Sequence, residues 1–157
     1  MPTNQNITMK TLKKILSTND NHSALVARLF LGIVIFPHGA QKLLGWFGGY
    51  GFTGTMGFFT ETIGLPWLIG LMIILFEFFG AILLILGLGT RLIATFYAVL
   101  AFGIVFSSHI QNGFFMNWFG NQTGEGYEYF LLWLGLALIL IISGGGKMSL
   151  DKKFVKV

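Results

Sequence analysis

Four apolar runs, each of roughly twenty residues, constrain the fold of this chain more than any other feature of its sequence. The predicted helical spans are 24–44, 65–88, 91–110 and 127–143. At about 1.5 Å per residue the first span is roughly 31 Å long, which matches the hydrocarbon thickness of a bilayer. The sequence therefore predicts an all-α, polytopic membrane protein whose single domain is a bundle of four transmembrane helices.

Composition excludes several other classes of protein. Hydrophobic residues make up 54% of the 157 residues and charged residues only 10%, which is too apolar for a soluble domain of this size. The ten basic residues do not form a groove for phosphates, so nucleic acid is excluded as a partner and the lipid bilayer is the expected one. Cysteine is absent, which excludes a disulfide framework, a dithiol redox couple and a thiolate metal site.

Outside the predicted spans, lysine and arginine occur only on one side of the bundle. They precede the first span and follow the fourth, and Arg91 at the first position of the third span lies on the same side, whereas loops 45–64 and 111–126 contain neither. The positive-inside rule therefore predicts that both termini are cytoplasmic. The predicted organisation is a basic N-terminal segment at 1–22, either amphipathic on the inner leaflet or solvated, a membrane domain at 23–146, and a basic cytoplasmic tail at 147–157.

Six ionisable side chains lie within or at the ends of the predicted spans: Arg28, His38, Lys42, Glu77, His109 and Glu128. A charge at the centre of a bilayer costs about 2.5 to 3.5 kcal/mol on insertion scales, so these groups are expected to face the bundle interior. On the first span, Arg28, His38 and Lys42 fall within an arc of roughly 80°. They are therefore predicted to share one helix face.

Helix geometry also predicts the depth of these groups. Four of them are expected to converge near the outer leaflet: His38, Lys42, His109 and Glu128. Glu77 lies near the middle of the second span, within side-chain reach of His38 or of Arg28. An unpaired carboxylate at that depth takes up a proton, and a paired one stays charged, so either state suits proton handling.

Structural explanations compete with a functional one for most of these residues. Arg28 and Lys42 can extend to the nearest membrane surface, His109 can be an interfacial residue, and Glu128 can be a charged first turn of its helix. Glu77 differs, because a carboxylate in the middle of a membrane span has few roles besides function or locking of the bundle.

The ordered motifs of the chain resemble a known family. These motifs are RLFLGIVIFPHGAQKLLGWFGG, GLPW, FEFFGAILLILGLGTRL, SSHIQNGFF, GEGYEYFLL and GGGKMSLDKKF. Together they resemble the DoxX family of small bacterial four-helix membrane proteins, over about residues 24–154. The resemblance implies a location in the bacterial inner membrane and a relation to DoxD-type subunits, which are assigned to quinone-linked oxidation of sulfur compounds. The positions that match the family pattern are Arg28, His38, Gly39, Lys42, Glu77, Gly80, Arg91, His109, Glu128 and Tyr129.

The leading functional hypothesis is a quinone-interacting subunit or partner of a membrane oxidoreductase. A quinone head group needs hydrogen-bonding or proton-accepting groups beside an apolar slot. The candidates for proton handling are His38, Glu77, His109 and Glu128. The remaining ligand-binding candidates are Arg28, Lys42 and Tyr129, with Lys42 stabilising negative charge. The expected aromatic walls are Phe36, Trp118, Tyr127 and Tyr129. No metal site is predicted.

Two alternatives stay open. One is a non-enzymatic membrane module, either a small-molecule carrier, for which four helices would need to form a homo-oligomer, or a scaffold for an assembly. The minor alternative is a b-type haem protein with His38 and His109 as axial ligands. Whether the chain is itself an enzyme is also open, because it contains no recognisable flavin or iron–sulfur motif and redox activity would require a catalytic partner.

Overall fold

Helix boundaries follow the glycine, proline and capping residues of the sequence in the computed structural model, which describes residues 16–155. The helices are α1 (His22–Leu44), α2 (Gly51–Gly57), α3 (Trp67–Leu86), α4 (Thr90–Asn112), α5 (Glu128–Ser143) and α6 (Leu150–Val155). No strand occurs within residues 16–155, and the prediction of an all-α fold is confirmed. The predicted N-terminal segment falls mainly on residues 1–15, which lie outside the described residues.

Capping and turn residues explain where the long helices begin and end. Asn21 caps α1 by accepting a 2.8 Å hydrogen bond from the backbone N–H of Ala24. Pro37 lies within α1, and the helix continues through it. The turn between α3 and α4 contains Gly87 and Gly89, with φ of 71° and 64°. This left-handed conformation strains any residue with a side chain, so these glycines end the second predicted span two residues before its expected end at residue 88.

Within residues 16–155, three helices are long and apolar enough to cross a membrane: α1 with 23 residues, α3 with 20 and α4 with 23. The fourth predicted span corresponds to α5, which is also apolar but has 16 residues. The described residues therefore form a helical bundle of the kind found in membranes. A fourth crossing and the orientation of the termini stay predictions.

The four long helices pack in the spatial order α3, α1, α5, α4. Helix α1 contacts both α3 and α5, and α4 packs along α5, whereas contacts between α3 and α4 are sparse. We call the side of the bundle that carries 45–66 and 113–127 the loop end, and the side that carries 16–21, 87–89 and 144–155 the terminal end. Although α3 and α4 are joined by a short turn at the terminal end, their seam is the least packed part of the bundle.

Buried charges bind main-chain groups at the terminal end. Arg28 is 2% exposed, and its Nε donates to the carbonyl of Gly145 at 2.9 Å. Asp151 is 1% exposed and accepts from the backbone N–H groups of Gly89 at 2.7 Å and Thr90 at 2.9 Å, at the start of α4. Sequence reasoning expected only a basic tail here, but α6 packs its first turn into the bundle through Asp151.

Two further features were absent from the sequence-based prediction. Helix α2 lies within the loop 45–64, to which no helix was assigned, and it packs against α1 and the start of α3. Both α3 and α4 also contain a π-helical segment, Phe76–Gly80 and Val105–His109 respectively. Such segments widen one helical turn and are frequent at functional sites.

Candidate functional site

An ion pair between α1 and α3 is the centre of the candidate site. The Nζ of Lys42 donates a hydrogen bond to Oε2 of Glu77. The side chain of Glu77 is 3% exposed and that of Lys42 is 27% exposed. The carboxylate is therefore buried within the bundle, while its cation keeps partial contact with the surface. A buried carboxylate needs such a partner, because removing it from water without one is costly.

Close contact between the backbones of α1 and α3 places the two charges together. A Cβ atom at Gly39 would lie 2.5 Å from the carbonyl carbon of Glu77, a distance at which the helices would have to move apart. Lys42 follows Gly39 by three residues and so extends from the same side of α1. Absence of a side chain at Gly39 thus allows Lys42 to reach Glu77.

The π-helical segment of α3 holds Glu77 and is tied to α4. The hydroxyl of Tyr97 on α4 donates a 2.9 Å hydrogen bond to the carbonyl of Phe76. A Cβ at Gly80 would lie 3.1 Å from the same hydroxyl, so the ring of Tyr97 packs closely against this segment. Tyr97 is fully buried and was not among the sequence-based candidates. Its position as a polar residue on the buried face of an apolar helix is the signal that could have indicated it.

Glu77 interacts electrostatically with groups from the other three long helices. Besides Lys42, these are His38 on α1, Tyr97 on α4 and Tyr129 on α5. His38 lies one turn before Lys42 on α1. His38 shares the face of α1 that packs into the bundle, but its side chain is exposed, contrary to the expectation that it faces the interior. The structure thus brings His38, Lys42 and Tyr129 towards Glu77.

A cavity of about 520 Å³ lies between α3 and α4, from Glu77 towards the loop end. Its polar side chains are Lys42, Glu77, Ser107, Ser108 and His109. Apolar side chains of α3, α4 and the connection before α3 form the remaining wall. We call this space the lateral cavity. Its composition, apolar with a few polar groups at defined positions, is typical of small-molecule sites.

The lateral cavity opens sideways on the surface that faces lipid. Three residues of its wall are also exposed on that surface: Ile69 at 44%, Met72 at 39% and Val99 at 66%. Gly103 also lines the cavity, and a Cβ there would meet no atom within 4 Å. The sparse α3–α4 seam therefore gives access from the bilayer to the buried ion pair.

The aromatic lining differs from the expected one. Three phenylalanines line the lateral cavity: Phe58, Phe59 and Phe96. The four aromatic residues expected as walls lie outside this lining: Phe36, Trp118, Tyr127 and Tyr129. Part of the wall comes from the connection between α2 and α3, which folds over the α3–α4 seam. No local sequence pattern indicates this arrangement.

The two candidates closest to the loop end, His109 and Glu128, form hydrogen bonds with the loop 113–127. The Nδ1 of His109 is 2.8 Å from the carbonyl oxygen of Glu125, so Nδ1 carries the proton and Nε2 is the ring atom left to bind a ligand. Glu128 accepts from the backbone N–H of Met116 at 2.9 Å and from Nε1 of Trp118 at 3.2 Å. His109 lines the lateral cavity, whereas Glu128 bonds to the loop.

Arg28 lies apart from the other candidates. It is 14 residues before Lys42 on α1, or roughly 21 Å along the helix axis. Its guanidinium bonds to main-chain carbonyls at the terminal end rather than to Glu77. Within residues 16–155, no group of three or more histidine, aspartate or glutamate side chains is arranged to hold a metal ion.

Comparison with known proteins gives two similarities. The sequence profile of the family described as DoxX matches residues 23–110. A protein of Bacillus subtilis (strain 168) named "Putative oxidoreductase CatD" is 30% identical over 127 residues, which cover 81% of this chain and 83% of the relative. No solved structure matches the chain. Lys42, Glu77 and His109, the ionisable groups of the lateral cavity, all lie within the matched range.

Proposed function

This chain belongs to the DoxX family, and we propose that it binds a quinone in the lateral cavity as a subunit or partner of a membrane oxidoreductase. The proposal places it in the bacterial inner membrane with four crossings and both termini cytoplasmic. Exclusion of lysine and arginine from loops 45–64 and 111–126 supports this orientation. The name of the Bacillus subtilis relative supports the assignment to redox chemistry.

One observation carries the proposal: an apolar cavity that opens towards lipid ends at a buried ion pair. The cavity volume of about 520 Å³ is within the range of small-molecule sites. A quinone has an apolar tail that stays in the bilayer and two carbonyl oxygens that accept hydrogen bonds. Lys42 would donate to one of these oxygens, and Nε2 of His109 would accept a hydrogen bond from the hydroxyl group of the reduced form. Phe59 and Phe96 would pack on the ring.

A bound quinone would supply two-electron, two-proton redox chemistry, with electrons from the partner oxidoreductase. The residues of this chain would handle the protons. Lys42 holds a proton in its hydrogen bond to Glu77, and the carboxylate can pass it to a ligand oxygen. His109 keeps Nδ1 bonded to the loop and uses Nε2 for proton exchange. The apolar wall keeps bulk water away from the lipid side of these groups.

Quinone content measured after purification in mild detergent tests this function. Gly103→Phe places a large side chain in the lateral cavity without striking the backbone, because a Cβ there meets no atom within 4 Å. Gly135→Phe is the matched control, since Gly135 also has open space but does not line the cavity. We expect near-stoichiometric quinone in the wild type and in Gly135→Phe, and a loss of about tenfold in Gly103→Phe. Equal quinone in both variants, or none in the wild type after quinone is added, would contradict the proposal.

The same samples decide between the proposal and its alternatives. A haem absorption band that is lost on changing His38 or His109 would favour the b-type haem protein. A stable protein free of quinone and haem that retains a partner enzyme would favour a scaffold. Uptake of a polar solute into proteoliposomes without quinone would favour a carrier.

A further inference from the structure

A second cavity, of about 690 Å³, lies at the loop end between α1 and the segment that contains α2. Its polar side chains are Gln41, Lys42, Tyr50, Thr55, Glu61 and Thr62. Tyr50 is 87% exposed, so this space opens to the aqueous side of the loop end. We call it the vestibule.

Lys42 lines both the vestibule and the lateral cavity. Glu77, its partner, lines only the lateral cavity. Phe58 and Phe59 also line both spaces and so separate them in part. The Lys42–Glu77 pair therefore lies between a space that is open to water and has several polar side chains and an apolar space that is open to lipid.

We propose that the vestibule is the aqueous entrance through which the Lys42–Glu77 pair exchanges protons. This inference rests on the proposed function, because it takes the lateral cavity as the quinone site. The species that uses the vestibule is water with its hydronium ion, which the neutral hydrogen-bonding groups of Gln41, Thr55 and Thr62 can solvate.

The groups around Glu77 indicate this route. Lys42 and His38 face Glu77 from α1, Tyr97 from α4 and Tyr129 from α5. Lys42 is the group that donates a hydrogen bond to the carboxylate and also contacts a water-accessible cavity. Tyr97 is fully buried, and its hydroxyl donates to Phe76 instead. His38 is exposed but lines neither cavity. Proton exchange between Glu77 and the surface through His38 is therefore the competing route.

The proton transfer balances because each proton passes to a ligand that takes up one electron from the partner oxidoreductase of the proposed function. A proton passes from the ammonium of Lys42 to the carboxylate of Glu77 and then to an oxygen of the ligand. The neutral amine of Lys42 takes a replacement proton from hydronium in the vestibule, which becomes water. Each proton delivered to the ligand is thus matched by one taken from the aqueous side, and the ion pair is restored.

Cross-linking with a permanently charged, water-soluble carbodiimide tests access from the vestibule. The reagent activates the Glu77 carboxyl group, the Lys42 amine displaces the resulting urea, and an amide forms between the two side chains. In lipid nanodiscs a charged reagent does not enter the hydrocarbon, so it reaches the pair only from water. Mass spectrometry of peptides that contain both residues measures the rate of amide formation.

Reversible blocking of the vestibule uses the absence of native cysteine. Gly57→Cys introduces a thiol in the vestibule lining, where a Cβ meets no atom within 4 Å and φ is −56°. A bulky methanethiosulfonate attached to this thiol fills the vestibule, and a reductant removes it. Gly135→Cys, on an exposed part of α5, is the control with the same open space. Comparison before and after reduction uses the same folded sample.

We expect the charged carbodiimide to form the amide in the unblocked protein, blocking at Gly57→Cys to slow it about tenfold, and reduction to restore it. Blocking at Gly135→Cys should change nothing. The inference is overturned if the charged reagent forms no amide in the unblocked protein while an apolar carbodiimide does, or if blocking at Gly57→Cys leaves the rate unchanged. Quinone content is measured separately, so loss of the proposed function and loss of this route give different results.

Discussion

The two ends of the bundle hold buried charges in different ways. At the terminal end, Arg28 and Asp151 bind main-chain groups of three separate segments. Towards the loop end, Lys42 and Glu77 bind each other and lie between two cavities. A charged side chain that bonds to backbone atoms of packed helices cannot readily exchange these partners. Such a side chain therefore holds the helices together. A pair that borders open space can exchange its partner for a ligand or water.

Arg28→Met should have the largest effect on stability. The change leaves buried carbonyls such as that of Gly145 without the Arg28 donor and removes the positive charge of Arg28 that interacts with Asp151. We expect a loss of about 3 to 5 kcal/mol in the free energy of unfolding, as for other buried charges deprived of one partner. Denaturant unfolding in detergent measures it, with the exposed Lys153→Met as control. A loss below about 1 kcal/mol would show that the terminal end does not join the helices.

Gly39→Ala should have an intermediate effect on stability and should also disturb the Lys42–Glu77 pair. The added methyl group would lie 2.5 Å from the carbonyl carbon of Glu77, so α1 and α3 must separate. We expect a loss of about 1 to 3 kcal/mol by overpacking, together with slower amide formation between Lys42 and Glu77 under carbodiimide. Gly135→Ala, which has open space around the new methyl, should change neither measurement. Unchanged cross-linking in Gly39→Ala would show that the Lys42–Glu77 pair does not depend on the close contact between α1 and α3.

Glu77→Gln should have the smallest effect on stability although it removes a buried charge. The amide oxygen of glutamine can still accept from Lys42, whose side chain is 27% exposed and contacts the vestibule, so the ammonium can be hydrated. We expect a loss of about 1 kcal/mol in the free energy of unfolding, with loss of bound quinone. Glu128→Gln, which alters a carboxylate bonded to the loop, should keep quinone.

A double-mutant cycle with Lys42→Met and Glu77→Gln makes the comparison quantitative. A coupling energy of about 1 kcal/mol or less would confirm that the pair contributes little to the fold. A loss in Glu77→Gln as large as that in Arg28→Met would remove the distinction between the two ends.

Much of the fold could be predicted from local sequence, because hydrophobic runs and helix-ending residues act over short distances. The positions of α1, α3, α4 and α5 follow from apolar runs that end at Gly45, at the turn 87–89 and at Gly144. Helices α2 and α6 were missed, since neither is long enough to show a periodic pattern. Their helical conformation depends on contacts with α1 and with the start of α4.

The candidate site could be predicted only as a set of residues. The cost of placing charge in a membrane predicted that Glu77, Lys42 and His38 face the interior. The structure places the three near one another, but the side chain of His38 is exposed. The same argument could not separate Arg28 and Glu128 from this set. Both have partners on segments distant in sequence, such as Gly145 and Met116, which are known only once the chain is folded.

The sequence by itself determined that this chain forms apolar helices with a few ionisable groups facing inwards, because both properties follow from the transfer free energies of individual residues. The tertiary structure alone decided which charges pair and where open space remains. The contact at Gly39 and the π-helical segment at Phe76–Gly80 set the position of Glu77 relative to Lys42. The weak α3–α4 packing left the cavity beside them. These properties depend on the distances between helices, which arise from the packing of the whole bundle rather than from any single segment.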